Sequence, residues 1–263
     1  MNRITTFWKK GKKALVPFIT AGFPKKGFTP EAVWALADSG ADMVEIGIPF
    51  SDPVADGPTI QSSSQIALRN GLKLSDIYRQ VERIRSKTEV PLLLMGYYNP
   101  LLAYGLEKFA SDAARSGVDG LIVPDLTPEE GGELSRACQR AGLSLVYLIA
   151  PTTPPGRITE IGNACRDFAY CVSLTGVTGV RKKNGAELKD FLLSVRAKNK
   201  KPFVVGFGIS TPDEAGRAGL YADGVVVGSA LVRIFLEEKN SSVALKKASN
   251  LVRRMAGRLN GIG

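Results

Sequence analysis

The sequence predicts a single (β/α)8 barrel with extra helices, one domain over residues 1–263. Three observations carry that expectation: eight short apolar runs bounded by Gly, Pro and Asp, helical patterns between them, and no break in composition along the chain. A length of 263 residues suits one such barrel, which typically needs about 250. An open doubly wound sheet uses the same alternation. No Gly-x-Gly-x-x-Gly follows the first strand, however, which disfavours its dinucleotide-binding version.

The elements are expected in the following order. A short amphipathic helix precedes a first strand at Val16–Thr20, and a helix at 30–39 follows. A second strand at Met43–Ile48 leads to helices at 59–70 and 74–88. The third strand, Leu92–Tyr97, leads to a helix at 106–116, and the fourth, Gly120–Val123, to one at 128–141. Strands at Leu145–Ile149 and Phe168–Ser173 are followed by helices at 157–165 and 186–198. The last two, Pro202–Gly206 and Gly224–Val227, are followed by helices at 212–218 and 231–238. The strand runs are mostly continuous in apolar character because a doubly covered parallel strand has no wet face. Thr29, Thr127 and Thr211 each precede a proline, which sets a capping hydroxyl before a helical position that tolerates proline. Ser39-Gly40-Ala41-Asp42, Ser116-Gly117-Val118-Asp119 and Tyr221-Ala222-Asp223-Gly224 each end a helix and launch the next strand.

Composition narrows the chemistry. With 44% hydrophobic and 23% charged residues the chain has material for a sizeable core and is not of disordered type. Basic Lys9 to Lys13 before the run Ala14 to Phe23 imitate a secretory leader, but Pro17 and Thr20 interrupt that run and the same residues serve as a first strand. No run approaches the roughly 18 apolar residues of a membrane-spanning helix, and a cytoplasmic location is expected. Cys138, Cys165 and Cys171 are odd in number and not closely paired, which favours buried thiols over disulfides or a zinc site. The chain has no histidine, which excludes Ser-His-Asp and Cys-His chemistry and most metal-ligand sets. Acid–base work falls to carboxylates, lysines or tyrosines. The formal charge of +10 attracts nucleic acid, acidic lipid and phosphorylated metabolites alike. The basic residues are dispersed without interleaved aromatics, which favours a solvated surface over a nucleic-acid footprint.

In a barrel the chemistry sits on loops after the C-terminal strand ends. The segment leaving the second strand runs from Val44 to Pro58. Period-two alternation turns Val44, Ile46 and Ile48 toward the helices and Met43, Glu45 and Gly47 inward. An inward carboxylate costs several kcal/mol unless paired or protonated. Glu45 is therefore either salt-bridged across the barrel or held for proton transfer, with burial raising its pKa. Asp56 lies eleven residues on, in a loop stiffened by Pro49, Pro53 and Pro58. Asp52 in the same loop is its rival, since both Asp-Pro and Asp-Gly are common turn dipeptides. Spacing does not choose between them.

A second constellation points to phosphate. Thr175-Gly176-Val177-Thr178-Gly179 follows the sixth strand, Gly206-Phe207-Gly208-Ile209-Ser210 the seventh, and Gly228-Ser229-Ala230 the eighth. Glycines there let backbone N–H groups approach an anion, and a helix starting near Ser229 adds partial positive charge. Each piece also reads as a simple turn former.

Val44 through Gly57 resembles the signature segment of the tryptophan synthase α subunit family. Pro17-Phe18-Ile19-Thr20-Ala21-Gly22, Tyr97-Tyr98-Asn99-Pro100, Gly176-Val177-Thr178-Gly179, Gly206 to Ser210 and Gly228-Ser229-Ala230 resemble that family's landmarks in the right order. The resemblance implies retro-aldol cleavage of indole-3-glycerol phosphate to indole and glyceraldehyde 3-phosphate, with no cofactor in this chain. By motif position it implies that Glu45 and Asp56, not Asp52, are catalytic. Glu45 would protonate indole C3, with proton removal from the glycerol hydroxyl, and Asp56 would stabilise positive charge at the ring N–H. Phe18, Ile60, Tyr97, Ile122 and Tyr170 would line the indole site. Gly179, Gly208, Gly228 and Ser229 would hold the phosphate, and Thr178 would meet Asp56 when the loops close. The implied partner is a pyridoxal-phosphate β subunit that receives indole through a tunnel in an α2β2 assembly.

Two features depart from some relatives: Ser173-Leu174-Thr175 replaces Ser-Arg-Ser, and Val180 stands where alanine is frequent. Both bear on the segment Gly176 to Gly185, whose glycines and Arg181-Lys182-Lys183-Asn184 run predict a mobile lid that orders with substrate or β subunit. The rival functions are another phosphosugar barrel enzyme, such as an isomerase or indole-glycerol-phosphate synthase, and a non-catalytic member that only binds and activates a β subunit.

Overall fold

The computed structural model describes residues 2–172, 185–206 and 208–262. Its strands are β1 (Ala14–Thr20), β2 (Val44–Gly47), β3 (Leu92–Met95), β4 (Gly120–Ile122), β5 (Ser144–Val146), β6 (Leu148–Ile149), β7 (Ala169–Val172), β8 (Phe203–Gly206) and β9 (Gly224–Val227). They pair in parallel in the order β5-β4-β3-β2-β1-β9-β8-β7-β6. The two outer strands are consecutive in the chain, so the sheet rolls into a nearly closed barrel.

The predicted strand Leu145–Ile149 is thus split in two at Tyr147. The Tyr147 N–H donates to Cys165 Sγ at 3.3 Å instead of to a neighbouring strand, while its carbonyl accepts from Tyr170 N at 3.1 Å. The register places Phe18 of β1 opposite Glu45 of β2, and Glu45 in turn opposite Leu93 of β3.

The helices are α1 (Arg3–Trp8), α2 (Thr29–Ala37), α3 (Pro58–Arg69), α4 (Leu74–Arg85), α5 (Tyr98–Tyr104), α6 (Leu106–Ser116), α7 (Gly132–Ala141), α8 (Pro155–Ala164), α9 (Gly185–Lys198), α10 (Pro212–Gly219), α11 (Ser229–Glu237) and α12 (Ser241–Asn260). Two of the three proposed threonine caps are corrected. Thr29 lies inside the first turn of α2, whose cap residue is Phe28, and its hydroxyl accepts from Gly22 N at 3.0 Å. Thr127 precedes a separate turn, closed by Gly131 N donating to its carbonyl at 2.8 Å, and α7 begins only at Gly132. Thr211 does cap α10, in a reciprocal box with Glu214. Helices α5 and α12 were not predicted. The second buries Ala244, Ala248, Val252, Met255 and Leu259 at helical spacing.

The three repeated Asp-containing segments have one job. Asp42, Asp119 and Asp223 each stand just before a strand. Each accepts, through Oδ2, the N–H at the start of the preceding strand: Leu15 at 2.9 Å, Leu92 at 2.8 Å and Phe203 at 2.9 Å. Asp119 is also paired with Arg85 and Arg3, and Asp223 with Arg196. Helix α1 covers the same end of the barrel. Asn2 caps it and donates to the carbonyls of Asp119 and Gly142, and Ile4 is fully buried against Gly120. Among the described residues no helix is long and apolar enough to cross a membrane.

Candidate active site

At the opposite, C-terminal end of the strands lies a cavity of about 310 Å³. Phe18, Glu45, Ile60 and Tyr170 line it together with Asp56, which the β2–α3 loop carries to its edge. Gly208, Gly228 and Ser229 form another part of the wall. Sequence reasoning therefore placed eight residues that this one cavity gathers. Room for its two aromatic rings comes from glycine: a Cβ on Gly47 would overlap the Phe18 ring, and one on Gly206 would overlap the Tyr170 hydroxyl.

Glu45 is 1% exposed, and its Oε2 has no hydrogen-bond partner. No salt bridge reaches it among the described residues, so the cross-barrel ion pair is absent there. Burial, and then the nearby Asp56 charge, push its carboxyl up to about 8. Asp56 is raised to about 6 by burial, against which a hydrogen bond from the Tyr97 hydroxyl favours the carboxylate. The two acids thus titrate on either side of neutrality.

The Asp56 loop is held from several directions. The Tyr97 hydroxyl accepts from Ala55 N at 3.0 Å, Gln61 Nε2 donates to the Asp56 carbonyl at 2.8 Å, and Asp56 N donates to the Pro53 carbonyl at 3.0 Å. Phe50 packs on Tyr97 with ring centroids 5.3 Å apart. Asp52 is exposed, accepts from the neighbouring Ser51 hydroxyl, and lines a separate outer depression with Phe50 and Val54. The structure therefore separates the two aspartates that spacing left equal: only Asp56 shares the cavity with Glu45.

Two expected indole neighbours sit behind the wall. Tyr97 is buried against the Asp56 loop. Ile122 of β4 pairs in register with Met95 of β3, and it is Met95 that faces the cavity. Thr178 and Gly179, with most of the expected lid, lie outside the described residues. Sequence reasoning missed Thr59, Val226 and Arg233, which line the cavity, whereas Ile209 and Ser210 line it from the glycine segment read for phosphate. Arg233 was findable as the residue one helical turn beyond Ser229.

Around Ser229 the geometry suits an anion. Gly228 precedes α11 without a side-chain cap, and Gly228, Ser229 and Ala230 at that helix start line the cavity. Gly208 has φ +89°, a left-handed conformation that glycine adopts without strain. Among the described residues no group of three or more His, Cys, Asp or Glu is placed to hold a metal ion.

Comparison with known proteins bears on this geometry. The family model described as tryptophan synthase alpha chain matches residues 4–260. A tryptophan synthase alpha chain from Citrifermentans bemidjiense is 50% identical over 234 residues, 89% of this chain and 88% of that one. One from Geobacter sulfurreducens is 51% identical over 224 residues, 85% of each. The crystal structure of tryptophan synthase subunit alpha from Legionella pneumophila superimposes with a TM-score of 0.92 at 39% identity, covering 100% of both chains. A tryptophan synthase structure from M. tuberculosis, in its aminoacrylate-bound form, gives 0.87 at 32% identity, covering 98% of this chain and 100% of that one.

Proposed function

This chain belongs to the tryptophan synthase alpha chain family, a family of lyases of tryptophan biosynthesis, and from that premise we propose that it cleaves indole-3-glycerol phosphate to indole and glyceraldehyde 3-phosphate. The observation that carries the proposal is the pair of desolvated carboxyls in one cavity, Glu45 near 8 and Asp56 near 6. At neutral pH the first holds a proton and the second does not, the division of labour that a proton-driven carbon–carbon cleavage needs.

Glu45 as the neutral acid gives its proton to indole C3. The C3 bond to the glycerol chain then breaks, its electron pair returns to the ring, and the adjacent hydroxyl gives its proton to the now ionised Glu45 as it becomes the aldehyde. Asp56 as a carboxylate stabilises the positive charge that the ring N–H carries in between. Tyr97 positions Asp56, Phe18, Ile60 and Tyr170 supply an apolar cradle, and the amides around Gly208, Gly228 and Ser229 receive the phosphate. This chain uses no cofactor for these steps, and the indole passes to a pyridoxal-phosphate β subunit in an α2β2 assembly. Indole release from indole-3-glycerol phosphate, measured with and without a β subunit, tests the proposal. Release by the chain alone, rising with β subunit, is expected. No release under either condition would overturn it and favour a member that only binds.

A further inference from the structure

The cavity walls carry three charged side chains among the described residues: Glu45, Asp56 and Arg233. Two of them are acids. A phosphorylated substrate bound there would bring further negative charge beside an ionised Asp56, and neutral backbone amides supply partial charges only. Arg233 is the single full positive charge in that lining. It makes no salt bridge among the described residues, even with Glu237, one turn further along the same helix.

Its position on α11 directs it. Ser229 opens that helix and Arg233 follows four residues later, on the same face and about 6 Å along the axis. Side chains on a helix lean toward its N-terminus, so the long arginine side chain runs back toward the Ser229 end, where the uncapped N–H groups lie. Its guanidinium can donate two parallel hydrogen bonds to a phosphate, which a lysine does not reproduce.

We propose that Arg233 is the specificity-determining cation of this site, the residue that selects substrates ending in a phosphate dianion. The inference rests on the functional reading above, and it assigns Arg233 to binding, with no part in proton transfer. It therefore predicts a split between binding and turnover. The test uses the full chain and glycerol 3-phosphate as probe, by calorimetry, with Arg233→Gln and Arg233→Lys compared with wild type. Arg233→Gln should raise the Kd about tenfold, the scale of one charge-assisted contact, and should flatten its dependence on salt. With indole-3-glycerol phosphate its KM should rise by a similar factor while kcat stays within about twofold. Arg233→Lys should recover part of the affinity. Loss of affinity in Arg233→Gln without indole release by wild type would uphold the phosphate role and overturn the functional reading. Unchanged Kd and KM in Arg233→Gln beside an active wild type would overturn the role of Arg233 alone. Absence of glycerol 3-phosphate binding by wild type would also overturn it.

Discussion

The two ends of this barrel treat the same functional group in opposite ways. At the N-terminal end Asp42, Asp119 and Asp223 each accept a backbone N–H, and two of them are also paired with arginines. At the C-terminal end Glu45 is buried with one oxygen unpartnered, and Asp56 has a tyrosine hydroxyl and no cation among the described residues. Pairing at the first end ties neighbouring strands together. Withholding it at the second leaves acids whose proton is available. On the proposed function, stability and reactivity are thus allotted to different ends of one sheet, the division expected of a barrel enzyme.

The largest effect should come from Glu45→Gln, which keeps the shape and removes the proton. Turnover should fall by about 10²–10⁴-fold with an unchanged circular dichroism spectrum. A folded variant with half the wild-type rate would erase the contrast between the ends. Asp56→Asn should be nearly as impaired while still binding glycerol 3-phosphate, and Asp52→Asn should stay active. The reverse result for the two aspartates would move the reactive end to the outer depression. Asp119→Asn should show the complementary pattern: urea denaturation should register a loss of about 3 kcal/mol, because the half-buried Arg85 loses its carboxylate while keeping only carbonyl partners. The specific activity of the folded fraction should not change.

The pH profile sharpens the contrast further. The log of kcat/KM should rise as Asp56 ionises near 6 and fall as Glu45 loses its proton near 8. Glu45→Gln should abolish the alkaline limb of any residual activity. The same group makes stability depend on pH. Between 4.5 and 8 the folded chain retains a proton on Glu45 that the unfolded chain has lost. Stability from this group is therefore full at low pH and declines as pH rises through that window, by at most about 1.4 kcal/mol per pH unit. A urea-midpoint series should show that slope reduced in Glu45→Gln.

The strand beats were legible because a doubly covered parallel strand leaves an uninterrupted apolar run, and Glu45 stood out because it breaks such a run. Helix starts were less legible. Thr29 and Thr127 precede prolines as caps do, yet their hydroxyls and carbonyls serve other contacts, which only tertiary neighbours decide. Asp52 and Asp56 were indistinguishable by spacing, since what separates them is which way a proline-stiffened loop faces, and that depends on Tyr97 from the turn after β3. The repeated Asp motifs were seen as punctuation. Their role in joining adjacent strands required knowing which strands are adjacent. Helix α12 was missed although its small and apolar residues recur at helical spacing, because Ala244 and Ala248 are weak signals in a stretch rich in lysine and arginine.

Helix α1, with Ile4 wedged against Gly120, gives the barrel a floor. The cavity lies at the opposite end of the strands, away from that floor. Helix α1 thus decides which end of the barrel stays shut, although none of its residues lines the cavity.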